Sequence, residues 1–299
     1  MRGARRLWQI RLWATLALSL GPSAITACQP KCKDGREPAG AYCCWPGQLW
    51  SDARETCVGA PKCPDEMIGV GAATFHIGTL QEGKEWQASR PIREVKVDAF
   101  CLDRTEVTVA EYKKCVDAGT CKPPVYAPKG GTWVDKDCNT LTEERANYPA
   151  NCLDWERAQA YCRWAGKNLP SEEEWQLAAG RMDGRKYPWG DDPPAPGKAN
   201  LFGGDDEAGD PLYPGLDGYA STAPTGAFVA DRGPFGHLDL GGNVSEWSRT
   251  ITHDGMALLP GGTYSSRSAL FPQLRYQKRG SKDLDGPMDG IRCARPSRE

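Results

Sequence analysis

The sequence predicts a loop-rich globular domain in which a few short strands and helices are stapled by disulfides. Three observations carry this reading. The 299 residues include 34 Gly and 24 Pro, about a fifth of the chain and well above ordinary usage, which disfavours a helical bundle. They also include 11 Trp, 10 Tyr and 6 Phe, too many large apolar side chains for a disordered chain. Finally, 13 Cys occur beside only three His, at His76, His237 and His253. With no Cys-x-x-Cys pair and no His-Glu-x-x-His helix, that usage reads as a disulfide framework rather than a zinc cluster. A formal charge of −2 gives no basic footprint for nucleic acid.

The N-terminal 27 residues read as an export signal. Arg2, Arg5, Arg6 and Arg11 stand without any Asp or Glu and precede the apolar stretch Leu12 to Leu20; that stretch is too short, and too soon followed by Gly21-Pro22, to span a bilayer. Ile25-Thr26-Ala27-Cys28 resembles a bacterial lipobox, which implies lipidation of Cys28 and attachment to a membrane through acyl chains. The alternative is a plain secretory signal with Cys28 in a disulfide. Gln29, in place of an Asp, favours the outer membrane, so the expected location is the bacterial cell envelope. Removing the signal takes away four Arg and no acid, leaving the remainder more acidic.

Residues 28–62 form a Cys/Pro-rich knot or spacer that cannot build a core alone. Cys32, Cys43, Cys44 and Cys57 could close two local bridges there, and the segment could alternatively display Trp45 and Trp50 as a binding knob. The body, residues 63–299, keeps eight cysteines. Its first strand is expected over Met67 to Ile77 and its second over 93–102, where Val95, Val97, Ala99 and Cys101 alternate with polar positions. Thr108-x-x-Glu111 is a capping box opening a helix with Val109, Tyr112, Cys115 and Val116 at helical spacing, ending at Gly119. Asp154 opens a second helix, with Ala158, Tyr161, Cys162 and Ala165 on one face and Gly166 as its stop; Ser171-x-x-Glu174 opens a third containing Trp175, Leu177 and Ala178. From about 183 onward, Gly, Pro and Asp are dense and most backbone polar groups need side-chain, water or ion partners.

Several strings in order along this body resemble the formylglycine-generating enzymes, the sulfatase-modifying factors: FHIG (75–78), DRTEVTVAEY (103–112), YCRWAGKNLPSEEEW (161–175), YPWGDD (187–192), GNVSEW (242–247), PGGTY (260–264) and GIRCA (290–294). The resemblance implies an α+β domain of low regular structure, a variant of the C-type lectin-like fold. It also implies that Cys162 pairs with Cys293. Spacing then suggests Cys115 with Cys121, and Cys138 with Cys152 and Cys63 with Cys101 complete one set among roughly a hundred possible connectivities. Calcium is the implied ligand, with a structural role in two loops. In one, Asn200 and Asp217 would supply side chains and Leu201 and Tyr219 carbonyls; in the other, Asp239 and Glu246 would do so with the carbonyls of Gly242 and Val244. The Asn243-Val244-Ser245 glycosylation pattern falls inside this packed motif and is discounted.

The sequence departs from the family at its chemistry. Those enzymes oxidise a substrate cysteine using two thiols that bind copper(I), placed shortly after the Gly-Gly-Ser/Thr-Tyr motif. Aligned from Gly261-Gly262, the two positions fall at Ser266 and Phe271, and no cysteine occurs between Cys162 and Cys293. A serine hydroxyl is a hard, weak ligand and Phe is none, so copper is not expected. Ser245 also stands where the enzymes usually carry an aromatic. No Gly-x-Ser-x-Gly elbow supports Ser265 or Ser266 as a nucleophile with His237 or His253, and Gly69-x-Gly71 lacks the third glycine of a dinucleotide loop. The favoured expectation is a lipid-anchored, non-catalytic module. It would bind a peptide, glycan or envelope protein through a groove around Tyr264, Ser266, Arg267, Arg275 and Tyr276. The alternative is a formylglycine-generating oxidoreductase, or another enzyme, with a rearranged site.

Overall fold

The computed structural model describes the backbone of residues 37–39, 42–44, 48–51 and 56–59 and, with side chains at nearly all positions, residues 61–124, 138–141, 143–201, 217–219, 221–266 and 268–297. Ahead of the body, β1 (Glu37–Ala39) pairs antiparallel with β2 (Tyr42–Cys44), and β3 (Gln48–Ser51) with β4 (Thr56–Gly59). The signal segment, Cys28 and the side chains of Cys32, Cys43, Cys44 and Cys57 lie outside the described residues.

The body begins with a bent antiparallel ribbon. Its strands are β5 (Met67–Val70), β6 (Ala73–Ile77), β7 (Arg93–Val97) and β8 (Phe100–Asp103). β6 pairs with β7 from Ala73↔Val97 to Ile77↔Arg93, and β5 pairs with β8 from Met67↔Asp103 to Val70↔Phe100. Each of the two long strands expected from alternation is therefore broken near its middle. The two halves of the ribbon have different surroundings. β6 buries Ala73, Phe75 and Ile77 and exposes Thr74 and His76, the alternation of a one-sided sheet, whereas all four residues of β8 are buried. β8 is the central strand of a three-stranded sheet, flanked by β5 and by β13 (Ala294–Pro296).

Three helices follow as their caps foretell. α1 (Val109–Asp117) begins with both arms of its capping box made: the Glu111 amide donates to Thr108 Oγ1 at 3.2 Å and the Thr108 amide to Glu111 Oε2 at 2.8 Å. α2 (Trp155–Trp164) starts where Asp154 accepts from the Arg157 amide at 2.8 Å. α3 (Glu172–Ala179) has the Ser171/Glu174 box and stops at Gly180, whose φ of 103° belongs to the left-handed region. Beyond α3 the regular pieces are short: β9 (Ser245–Glu246) runs parallel to β12 (Asp289–Gly290), and β10 (Ala257–Leu259) antiparallel to β11 (Lys278–Gly280).

Among the described residues, three apolar clusters form around these elements. Tyr112, Cys115, Tyr161, Cys162, Trp247, Ile291 and Cys293 pack α1 and α2 against the C-terminal segment. Val70, Phe75, Ile77, Val97 and Leu102 pack the ribbon against Leu177 and Ala178 of α3. Trp175, on another face of α3, joins Leu240 and Leu274, so the helix links the ribbon to the loop-rich half. Four disulfides join Cys63 to Cys101, Cys115 to Cys121, Cys138 to Cys152 and Cys162 to Cys293, with Cα separations of 5.2–5.7 Å. These are the four pairs expected for the body.

Candidate functional site

The loop-rich half is organised by the Gly242-Asn243 step. Gly242 has no alternative, because a Cβ there would stand 2.6 Å from the Asn200 carbonyl oxygen. Asn243 follows in the left-handed region, at φ 68°, and its buried amide becomes a hub. Its Oδ1 accepts from Asn200 Nδ2 at 2.9 Å and from the Ala223 amide at 2.8 Å, while its Nδ2 donates to Glu106 Oε2 at 2.9 Å. Its carbonyl accepts from the Tyr264 amide at 2.8 Å, which attaches the start of the expected groove to the hub. Asn243 is fully committed inside the molecule, in keeping with its dismissal as a glycosylation site.

Beside the hub lies a buried ionic network. Arg292, wholly buried, donates from Nε to both oxygens of Glu246 at 2.8 and 2.9 Å, from Nη1 to the Asp103 carbonyl at 3.0 Å and from Nη2 to the Leu238 carbonyl at 2.8 Å. Trp175 Nε1 donates to Glu246 Oε2 at 2.6 Å. Burial, reinforced by Asp239, raises the Glu106 carboxyl well above its usual range; burial alone dominates at Asp239, whose pKa is pushed up to about 6. Next to it, Ser245 Oγ donates to Asp289 Oδ1 at 2.8 Å, and Lys278 Nζ binds both of these side chains. Ser245, standing in place of an aromatic, thus belongs to a polar triad in which it and Asp289 are buried and Lys278 is half-buried.

The groove residues come next. Ser266 is buried, and its hydroxyl accepts from the Thr263 amide at 2.8 Å while its own amide donates to the Thr263 carbonyl at 2.9 Å. Phe271 packs edge-on against Tyr276 at 5.2 Å, and Tyr276 packs edge-on against Trp86 at 6.1 Å. Tyr264 is buried and Arg275 half-buried. Arg267 lies outside the described residues. The structure therefore brings Ser266, Phe271, Tyr276 and Arg275 onto one loop. It adds Trp86, which sequence reasoning missed; a lone tryptophan in the polar stretch Glu82–Gln87 was the available signal. The eight cysteines of the body are all in disulfides, so none offers a thiol.

The two expected calcium loops differ. In the first, Asn200 Oδ1 and Asp217 Oδ2 are both buried acceptors without a hydrogen-bond donor, an arrangement that costs free energy unless a cation satisfies it. Asn200 is oriented by Nδ2, which donates to the Ser221 carbonyl at 3.0 Å as well as to Asn243. Asp217 Oδ1 accepts from the Tyr219 amide at 3.1 Å, and burial raises this carboxyl above its ordinary range. Asn200 precedes Leu201 and Asp217 bonds the Tyr219 amide, and unpartnered oxygens of this kind suit a hard cation. The second loop carries more internal hydrogen bonds. Both oxygens of Glu246 accept from Arg292, and Asp239 Oδ2 accepts from the Gly226 amide. Among the described residues, no group of three or more His, Cys, Asp or Glu converges as a metal site.

Residues 54–297 match the family model described as the sulfatase-modifying factor enzyme 1-like domain. The formylglycine-generating enzyme of Bos taurus is 27% identical over 289 residues, covering 79% of this chain and 76% of that protein. The inactive C-alpha-formylglycine-generating enzyme 2 of Bos taurus is 34% identical over 270 residues, covering 76% and 87%. Among solved structures, PvdO from Pseudomonas aeruginosa superposes with a TM-score of 0.59 at 21% identity, over 77% of this chain and 94% of that one.

Proposed function

The chain belongs to the sulfatase-modifying factor enzyme 1-like family, and from that premise we propose that it is a non-catalytic binding module that uses the family scaffold without the family oxidation. One observation carries this reading: the two positions at which the enzymes hold copper(I) are a serine whose hydroxyl is tied to the Thr263 amide and a phenylalanine packed on Tyr276. Neither residue can hold a soft metal ion or exchange a disulfide with a substrate. A relative described as inactive, 34% identical to this chain, supports a family branch in which the scaffold serves another purpose. The groove between Tyr264, Arg275 and Tyr276 is the surface assigned to a ligand of the cell envelope, a peptide, glycan or protein. Lipidation of Cys28, with placement at the outer membrane, completes the proposal. Calcium at the Asn200/Asp217 loop is its structural cofactor, and the two orphaned buried oxygens support it.

The test is direct. The purified chain is alkylated without reductant, weighed for free thiols, titrated with copper(I) and incubated with a cysteine-containing sulfatase peptide. The expected outcome is no alkylation in the body, no stoichiometric copper and an unchanged peptide. Conversion of the peptide cysteine to formylglycine overturns the proposal.

A further inference from the structure

Three segments meet beside the groove. The Leu274 amide donates to the Lys186 carbonyl at 2.8 Å, which seats the 271–276 loop on the segment following α3. From that segment, Arg181 reaches back and donates from Nη2 to the Gly78 carbonyl at 3.0 Å. The chain leaving Gly78 carries Trp86, whose ring meets Tyr276. Arg181 and Arg275, carried by two of these segments, lie near enough to repel one another.

The pair is unusual in what it lacks. Arg181 is only 9% exposed, and the Nε atoms of Arg181 and Arg275 are both buried without an acceptor. Among the described residues, no carboxylate forms an ion pair with either; the nearby Asp183 is taken by Arg185. Leaving donors of a charged group unsatisfied in a buried site is costly, and two like charges add repulsion. The repulsion shows at Arg181, whose pKa burial lowers first and Arg275 lowers further. The guanidinium edge offers parallel N–H groups that match the two oxygens of a planar or tetrahedral oxyanion. Trp86 is buried, while Phe271 and Tyr276 are half-buried and supply an apolar wall that remains reachable.

We infer that Arg181 and Arg275, walled by Trp86 and Tyr276, form a binding site for an oxyanionic group, a carboxylate or phosphate borne on a ligand with an apolar face. The inference rests on the binding-module reading and names the chemistry of its ligand.

Thermal melts of the full chain test it, with inorganic phosphate, sulfate or benzoate added at an ionic strength held constant with NaCl. At tens of millimolar, at least one anion is expected to raise Tm by about 2–4 °C. Arg275→Gln is expected to abolish that shift, and Arg279→Gln, at an exposed pair with Asp254, to keep it. Arg275→Lys, which keeps the charge without the planar fork, weakens the response several-fold and serves if the Gln variant folds poorly. A benzoate response larger than that to phosphate assigns a carboxylate ligand; the reverse assigns a phosphate ester. No shift beyond NaCl for any anion, or a shift that survives in Arg275→Gln, overturns the inference. The peptide-oxidation assay uses no anion, so failure of one reading is told apart from failure of the other.

Discussion

Glu172 sits in the first turn of α3 with its carboxylate 3.0 Å from Arg93 and almost wholly out of water. Burial, with the neighbouring Glu173 charge, pushes its pKa up to about 7 from 4.5, against the opposing pull of Arg93. The folded state therefore holds this proton over a pH range in which the unfolded chain has lost it. Stability contributed by protonated Glu172 is fully present below about pH 4.5 and falls as pH rises towards 7, by on the order of 2–3 kcal/mol. Glu172→Gln is expected to flatten this part of the curve in urea melts taken between pH 4 and 8; an unchanged slope counts against the assignment. Legibility at this scale was uneven. Ser266 and Phe271 could be located by counting from Gly261-Gly262, because the motif is local. The fate of Glu246 could not, because its partner Arg292 lies 46 residues away in sequence and a carboxylate suits a cation or a guanidinium equally.

At the scale of elements, the helices were readable because each begins with a side chain that satisfies its own first turn. Ser171→Ala removes the acceptor for the Glu174 amide and is expected to cost about 1 kcal/mol in denaturant melts. A loss well above 2 kcal/mol would mean that the bidentate contact of Glu174 with Arg249 had been disrupted as well. The strands were less readable. Alternation over 93–102 continues through the break at Asp98-Ala99, and nothing local announces that β8 must accept β13, a strand almost two hundred residues later, as a second neighbour. The Arg181 site was invisible for the same reason, since it is made by segments near residues 78, 181 and 275 that only the tertiary fold brings together.

For the whole molecule, the four disulfides among the described residues cross-link the N-terminal half of the body, and Cys162–Cys293 alone ties the loop-rich half to it; calcium is proposed to support the loops beyond. Chelation is expected to lower Tm by about 5–10 °C if calcium occupies the Asn200/Asp217 loop near saturation, and Asp217→Ala to melt at the lower temperature with or without chelator. Equal melting of the unaltered chain in calcium and in chelator argues against the ion. Disulfide pairing was legible as a set only with the help of family resemblance, because spacing alone leaves many connectivities open.

The Cys162–Cys293 bridge joins positions separated by 131 in sequence and encloses nearly all of the loop-rich half. A protease that cuts this half once divides the chain without dividing the molecule: both pieces remain one covalent body, with α2 and the C-terminal strand still joined at their cysteines. Backbone scission and loss of structure thereby become separate events, and the second also needs a reductant.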